Sequence, residues 1–272
     1  MIVNQNPSWI GALVTLKGSI IKRIALRCLM ITLLACLIVL IERRYPACHD
    51  RWWEGRRAWG NVIIETRSFI RASVAVQDPA TRRALLRPLC GFSHALNARL
   101  RGEDEFLAAS PWLSAPRAAY GINVSDSILR QVGEQCATLA TQGTINEWRY
   151  TILEQRLQVL ANAQGVCERI KQTPLPFPYT LLLHRTIFLF CILLPFAMAQ
   201  PLGWIAPVFT AIVSYTFFGL DAIADELEDP FGYDENDLPT DSMTRTLERE
   251  ILEALGETEL PPALATQDRV LT

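Results

Sequence analysis

Residues 179–220 read YTLLLHRTIFLFCILLPFAMAQPLGWIAPVFTAIVSYTFFGL. Two uncharged apolar runs, Ile187–Ala199 and Trp204–Leu220, flank the short stretch Gln200-Pro201-Leu202-Gly203. Each run, with its preceding residues, approaches the roughly 20 residues that a membrane-crossing helix needs. The segment therefore predicts a helical hairpin in a bilayer. Its uncharged tip is expected outside, because Lys and Arg are retained on the cytoplasmic side.

The rest of the composition agrees with a membrane protein that has a large water-facing part. Of the 272 residues, 50% are hydrophobic and 20% charged, and the mean hydropathy is +0.17. Disorder is excluded as the overall state by that apolar content. The net charge of −2 conceals a basic middle and an acidic end. Residues 51–173 carry 16 Lys/Arg against 11 Asp/Glu, whereas 221–272 carry 15 Asp/Glu against 3 Arg. The arginines of the middle are dispersed among apolar residues, with no patch of stacking aromatics, so nucleic acid is not an expected partner. The seven cysteines include no C-x-x-C pair, and Cys28, Cys36 and Cys191 sit in apolar runs. Reduced, mostly buried thiols facing a cytosol are expected.

A further apolar stretch, Ile24–Ile41, is long enough to cross a bilayer. It starts too late for a signal peptide, and Arg43-Arg44-Tyr45-Pro46 follows it in place of a small-residue cleavage site. Its flanks conflict with one crossing. Lys17, Lys22 and Arg23 precede it, while Arg43, Arg44, Arg51, Arg56 and Arg57 follow it, and both groups call for the cytoplasmic side. Either the stretch does not cross, or a second crossing is missing.

Helical spacing runs through the middle. Trp52, Trp59, Ile63, Ile70 and Val74 form one expected face, in a helix ended by Asp78-Pro79. Leu85, Leu89, Phe92 and Leu96 define a second helix over Thr81–Leu100, bent at Pro88. Ser125-Asp126 is the expected cap of a helix to Thr141. Thr144 is the expected cap of one to about Ile170, with Trp148, Ile152, Leu157 and Leu160 inward. No alternating strand pattern occurs. The reading divides the chain into an N-terminal segment with the first span (1–46), a helical region (47–173), the membrane hairpin (174–220) and an acidic tail (221–272). The expected class is all-α: transmembrane helices with a large cytosolic helical bundle.

Three strings go further: Asp50-Arg51-Trp52-Trp53-Glu54-Gly55-Arg56-Arg57-Ala58-Trp59-Gly60; Cys167-Glu168-Arg169-Ile170-Lys171-Gln172-Thr173-Pro174-Leu175-Pro176-Phe177-Pro178-Tyr179; and Asp225-Glu226-Leu227-Glu228-Asp229-Pro230-Phe231-Gly232-Tyr233-Asp234-Glu235-Asn236-Asp237-Leu238-Pro239. In this order they resemble the bestrophin family, specifically its bacterial branch. That resemblance implies a homopentameric, multi-pass helical ion channel of the inner membrane. It also implies passive conduction, of chloride in many members and of cations in some bacterial ones. The chain departs from the family in one respect. Members have another membrane helix before the R-W-W string, supplying the pore neck, and here Pro46 leads almost directly into Asp50-Arg51.

The resemblance also implies site residues. Leu175, between Pro174 and Pro176, would form the cytosolic constriction, or else pack against the cytosolic helices while the prolines start the next span. Glu226, Asp229, Asp234 and Asp237, around the Pro230-Phe231-Gly232 turn, would ligate calcium, or form a capped acidic turn docked on a basic neighbour. No other cofactor is expected. Arg51, Trp52 and Trp53 are expected to pack a helix junction near the membrane interface more than to line the ion path. His184 and Arg185 are expected to reach the headgroups, or to form an anion-attracting ring. Ser214, Tyr215 and Thr216 are expected in helix–helix contacts.

No G-x-S-x-G, H-E-x-x-H, G-x-x-x-x-G-K or G-x-G-x-x-G occurs, and the three histidines are scattered, so no enzyme is expected. The reading from a different class is a non-conducting membrane-anchored helical protein whose acidic tail binds cations or a partner.

Overall fold

A computed structural model of the protein describes residues 21–266, without the side chains of 21–27 and 42–45. The flanking charges Lys17, Lys22, Arg23, Arg43 and Arg44 lie outside the described residues or side chains. Every regular element described is a helix: α1 (Ile21–Ala72), α2 (Pro79–Arg101), α3 (Glu105–Ala109), α4 (Val124–Thr141), α5 (Glu147–Gln172), α6 (Phe177–Leu202), α7 (Ala206–Glu228) and α8 (Thr240–Ala254), with short 3-10 turns between some of them. The chain divides into two compact units. One takes α1 as far as Ala47 together with Leu175–Asp225; the other takes Cys48–Pro174 and the chain from Glu226.

The first unit is the apolar one. Phe177–Glu228 is long and apolar enough to cross a membrane, with a mean hydropathy of 2.0 in its most apolar 18 residues. Leu183, Ile187, Phe190, Cys191 and Leu194 form one stripe of α6, and Met30 and Leu37 of α1 pack on it. Phe190 and Phe217 of α7 meet edge to face, 5.4 Å between ring centres. Outward residues are also apolar, among them Phe188, Phe196, Ile212 and Tyr215, as a lipid-facing surface requires. Pro195 and Pro201 lie inside α6, which a membrane helix tolerates better than a water-soluble one. The expected turn at Gln200–Gly203 is tighter than read. The helix runs to Leu202, and the 3-10 turn Gly203–Ile205 leads into α7; Gly203 stands at φ 50° and ψ −128°, a conformation costly for any residue with a Cβ.

The second unit is a helical bundle. Trp59, Val62, Phe69, Leu85, Leu89, Phe92, Leu96, Ile128, Val132, Leu153, Leu157, Leu160, Leu247 and Ile251 are buried together. The expected stripe of α2 is buried throughout, whereas two other expected faces are met only in part: Trp59, Leu157 and Leu160 are buried as expected, and other members are not. On α1 the buried residues include Trp59, Val62, Thr66 and Phe69, while Val74, in the 3-10 turn after the helix, is 63% exposed. On α5 they include Leu153, Leu157, Leu160 and Cys167, while Trp148 is 80% exposed. Both helices carry apolar residues on more than one side, so spacing alone could not choose the side that meets a partner.

Caps differ for a related reason. Asp78 does not end α1, which stops at Ala72; its carboxylate accepts from Thr81 N and starts α2. Asn123, not Ser125, caps α4 by accepting from Asp126 N, and Asn146, not Thr144, caps α5 by accepting from Arg149 N. The capping oxygen must sit on the last extended residue to reach the third helical N–H. Asn123 also donates to Glu168, whose Oε1 lies 2.9 Å from Arg99 Nε, and Arg99 Nη1 lies 2.5 Å from Glu105 Oε1. Glu105 in turn accepts from Val124 N and Ser125 N. This network joins α2, α3, α4 and α5.

Candidate functional site

The site grows from the end of α5. The last carbonyls of a helix have no partner within it and carry its negative pole. Arg51 of α1 meets them: Nη2 donates to Ile170 O at 2.6 Å and Nη1 to Thr173 O at 2.6 Å. Its Nε donates to Glu228 O, at the end of α7, at 3.1 Å. One planar fork thus joins three segments, a task for which the five fixed donors of Arg are suited and Lys is not. The chain from Thr173 to Pro176 is non-helical, since Pro174 and Pro176 withhold donors and exclude helical geometry from the residues before them. Leu175 sits in this corner, half-buried.

The acidic turn is attached to the same place. Lys171 Nζ lies 2.6 Å from Asp229 Oδ2. Trp52 Nε1 donates to Asn236 O at 3.1 Å, and Asn236 Nδ2 donates to Glu226 Oε2 at 2.6 Å. Phe231 is fully buried and lies over Gly55, where an added Cβ would stand 3.1 Å from its ring. Asp237 Oδ2 accepts from Asp234 N at 2.8 Å and covers Gly232, where a Cβ would come within 2.6 Å of that oxygen. Tyr233 donates to Glu103, and its ring stacks under the Arg101 guanidinium at 4.1 Å, while Arg101 pairs with Asp241. Burial holds the Asp237 carboxyl above the usual range. The Asp234 N–H opposes that shift, and the carboxylates of Asp234 and Asp229 add to it. Asp237 Oδ1 is buried without a hydrogen bond.

The expected residues are thus placed as follows. Arg51 is a junction clamp; Trp52 anchors the acidic turn; Trp53, stacked on Trp52, is 48% exposed. Pro230 accepts from Leu238 N and closes the turn. Among the four acidic candidates, Asp229 faces Lys171 and Glu226 faces Asn236. The trio of potential metal ligands that converges among the described residues lies elsewhere, at His184, Asp221 and Asp225. His184 Nδ1 stands 2.5 Å from Asp221 Oδ2, and Arg185 is exposed. Tyr215 faces outward, and Thr216 bonds back to Ile212 O. Sequence reading missed Gly55, Asn236 and Lys171 as parts of the junction, since only a residue far along the chain gives each its role. Asp221 and Asp225 were overlooked within the charge of the tail. Their spacing of four, on the last turns of an apolar helix, was the available signal.

A long apolar helical segment and, in the other unit, an acidic turn clamped by one arginine define an all-helical membrane protein. Comparison with known proteins makes this particular. The family model described as bacterial/fungal bestrophin protein matches residues 1–47 and 43–253. The voltage-dependent anion channel-forming protein mll4386 of Mesorhizobium japonicum is 34% identical over 299 residues, covering 99% of this chain and 96% of the relative. The voltage-dependent anion channel-forming protein YneE of Escherichia coli K12 is 31% identical, covering 96% of each. The crystal structure of a bacterial bestrophin homologue from Klebsiella pneumoniae superposes with a TM-score of 0.81 at 33% identity, covering 85% of this chain and 88% of that one. The chain belongs to the bacterial/fungal bestrophin family. The 299 aligned positions exceed the 272 residues of the chain, so at least 27 of them have no residue here. The two pieces of the family match overlap at residues 43–47.

Proposed function

We propose that the chain is one subunit of a homo-oligomeric channel passing small anions across the bacterial inner membrane. The observation that carries this reading is the identity to a named anion channel-forming protein along nearly the whole chain. Conduction needs no catalytic group, only a shaped path with apolar constrictions. Leu175 is the proposed constriction, held by the corner that Arg51 fastens. An ion passing a ring of leucines sheds water with nothing to replace it. The family resemblance supports five subunits, with residues 51–173 and the acidic tail in the cytoplasm. It leaves cation conduction as a variant of the same reading. In this proposal the acidic turn binds calcium, which would relieve the crowding of Asp237 by Asp234 and Asp229.

The 27 or more absent positions favour a second reading, a membrane-anchored, non-conducting protein whose acidic tail binds cations or a partner. Purified protein in liposomes decides between them. Chloride efflux that is absent from protein-free vesicles supports the channel. Efflux that appears only after a membrane helix is inserted between Tyr45 and Cys48 supports the second reading for the chain as it stands. Mass measurement in detergent, corrected for bound detergent, tests the pentamer.

A further inference from the structure

We propose that His184, Asp221 and Asp225 form a binding site for a borderline divalent transition-metal ion, of which Zn2+ is the type, at the end of the apolar hairpin. Asp221 and Asp225 stand one turn apart on α7, so their carboxylates share a face. His184 of α6 stands opposite. Its Nδ1 is 2.5 Å from Asp221 Oδ2 and its Nε2 is 3.9 Å from Asp225 Oδ2. One ligand atom from each residue lies within 4.8 Å of the other two. No second trio of this kind occurs among the described residues.

The setting adds weight. The Asp221 carboxylate is nine-tenths buried in a predominantly apolar segment, where an ionisable group is costly to keep. Imidazole nitrogen with two carboxylate oxygens suits zinc, cobalt or manganese. Calcium would require six to eight oxygens, and three residues with one nitrogen do not provide them. Ligand atoms about 2.1 Å from a tetrahedral ion stand roughly 3.4 Å apart. Metal binding requires side-chain rotation to that spacing, with Asp221 Oδ2 withdrawing from direct contact with the imidazole. Two carboxylates and one imidazole fill three positions of a tetrahedral ion, and a fourth position stays open to water. That marks an exchangeable site rather than a closed structural one. Bound there, the ion would cross-link α6 to α7 immediately before the chain enters the acidic turn. The proposal is independent of whether the chain conducts.

The test uses the full chain, tag removed, in detergent after chelator treatment. Zn2+ is expected to raise the melting temperature with increasing concentration, and Co2+ to give visible d–d absorption bands. Asp225→Asn, at a half-exposed position, should abolish both signals, as should His184→Gln. Asp229→Asn with Asp234→Asn should leave both intact, separating this site from the acidic turn. The proposal is overturned if zinc and cobalt produce no signal. It is equally overturned if the signals persist in Asp225→Asn and His184→Gln, which would place the metal on other ligands such as the cysteines. A fall in metal-free stability in either variant, without any response to zinc in the parent, would mark the trio as an ion pair only.

Discussion

Arg51 and Thr173 lie 122 residues apart in the chain, and the guanidinium of the first donates to the carbonyl of the second at 2.6 Å. The same guanidinium holds Ile170 O and Glu228 O. The residue before the proline corner and the residue before the acidic turn therefore share one donor. A displacement of either segment must strain or break that fork, so the corner and the turn are mechanically coupled.

Replacing Arg51 should uncouple them. Arg51→Ala leaves three carbonyls at helix ends without this donor, and hydrogen bonds involving a charged group contribute about 1.5–3 kcal/mol each at most. A loss of about 2–4 kcal/mol is expected, allowing for water replacing part of it. Arg51→Lys should recover less than half, because an ammonium cannot reach three carbonyls in one plane. Thermal unfolding in detergent measures both.

Gly232→Ala tests the close approach of Asp237. A Cβ 2.6 Å from Asp237 Oδ2 must displace the carboxylate that holds Asp234 N. Overpacking of this kind costs about 1–3 kcal/mol. Gly232→Ala with Asp237→Ala should recover part of that loss; a double variant as unstable as the sum of the two singles would show that the clash is not with Asp237.

Asp237 also sets a pH dependence. Its folded carboxyl is raised above the ordinary 3.8, first by burial. The folded state then binds more protons than the unfolded state at pH values between the two. This contribution to stability is complete below the unfolded value and is lost as pH rises through the folded value. Asp237→Asn should flatten the decline of melting temperature as pH rises above about 4. In the calcium reading, millimolar calcium should flatten it similarly in the parent protein, and should do nothing further in the variant.

The thiols of Cys90, Cys136 and Cys167 should resist labelling. All three are buried, and burial pushes Cys136 and Cys167 up to about 12 and Cys90 upward as well. At neutral pH neither access nor thiolate is present. Mass spectrometry after maleimide treatment should find these three unmodified until denaturant is added. Labelling in the folded protein would contradict the packing of α2, α4 and α5.

Leu175→Ala tests the constriction. In planar bilayers, with a neck helix inserted if efflux requires it, unitary conductance should rise and larger anions should pass. Unchanged conductance and size cutoff in an intact oligomer would remove Leu175 from the ion path.

Much of the molecule is legible in the residues themselves. Hydrophobic runs and a charge-free turn state the hairpin, because lipid imposes one requirement on every outward residue and composition records it directly. Prolines at 174 and 176 state a corner, because the constraint lies within the residue itself. The charges on both flanks of Ile24–Ile41 raise the question of a missing crossing near Pro46, and the two pieces of the family match overlap there. Tertiary structure decided the rest. Which face of α1 and α5 is buried, why Gly55 and Gly232 must be small, and that Arg51 serves three carbonyls all depend on partners brought near by folding. The convergence of His184 with Asp221 and Asp225 is of the same kind. Each residue reads alone as an ordinary charge near a helix end, and only the packing of α6 on α7 places their ligand atoms within 4.8 Å of one another.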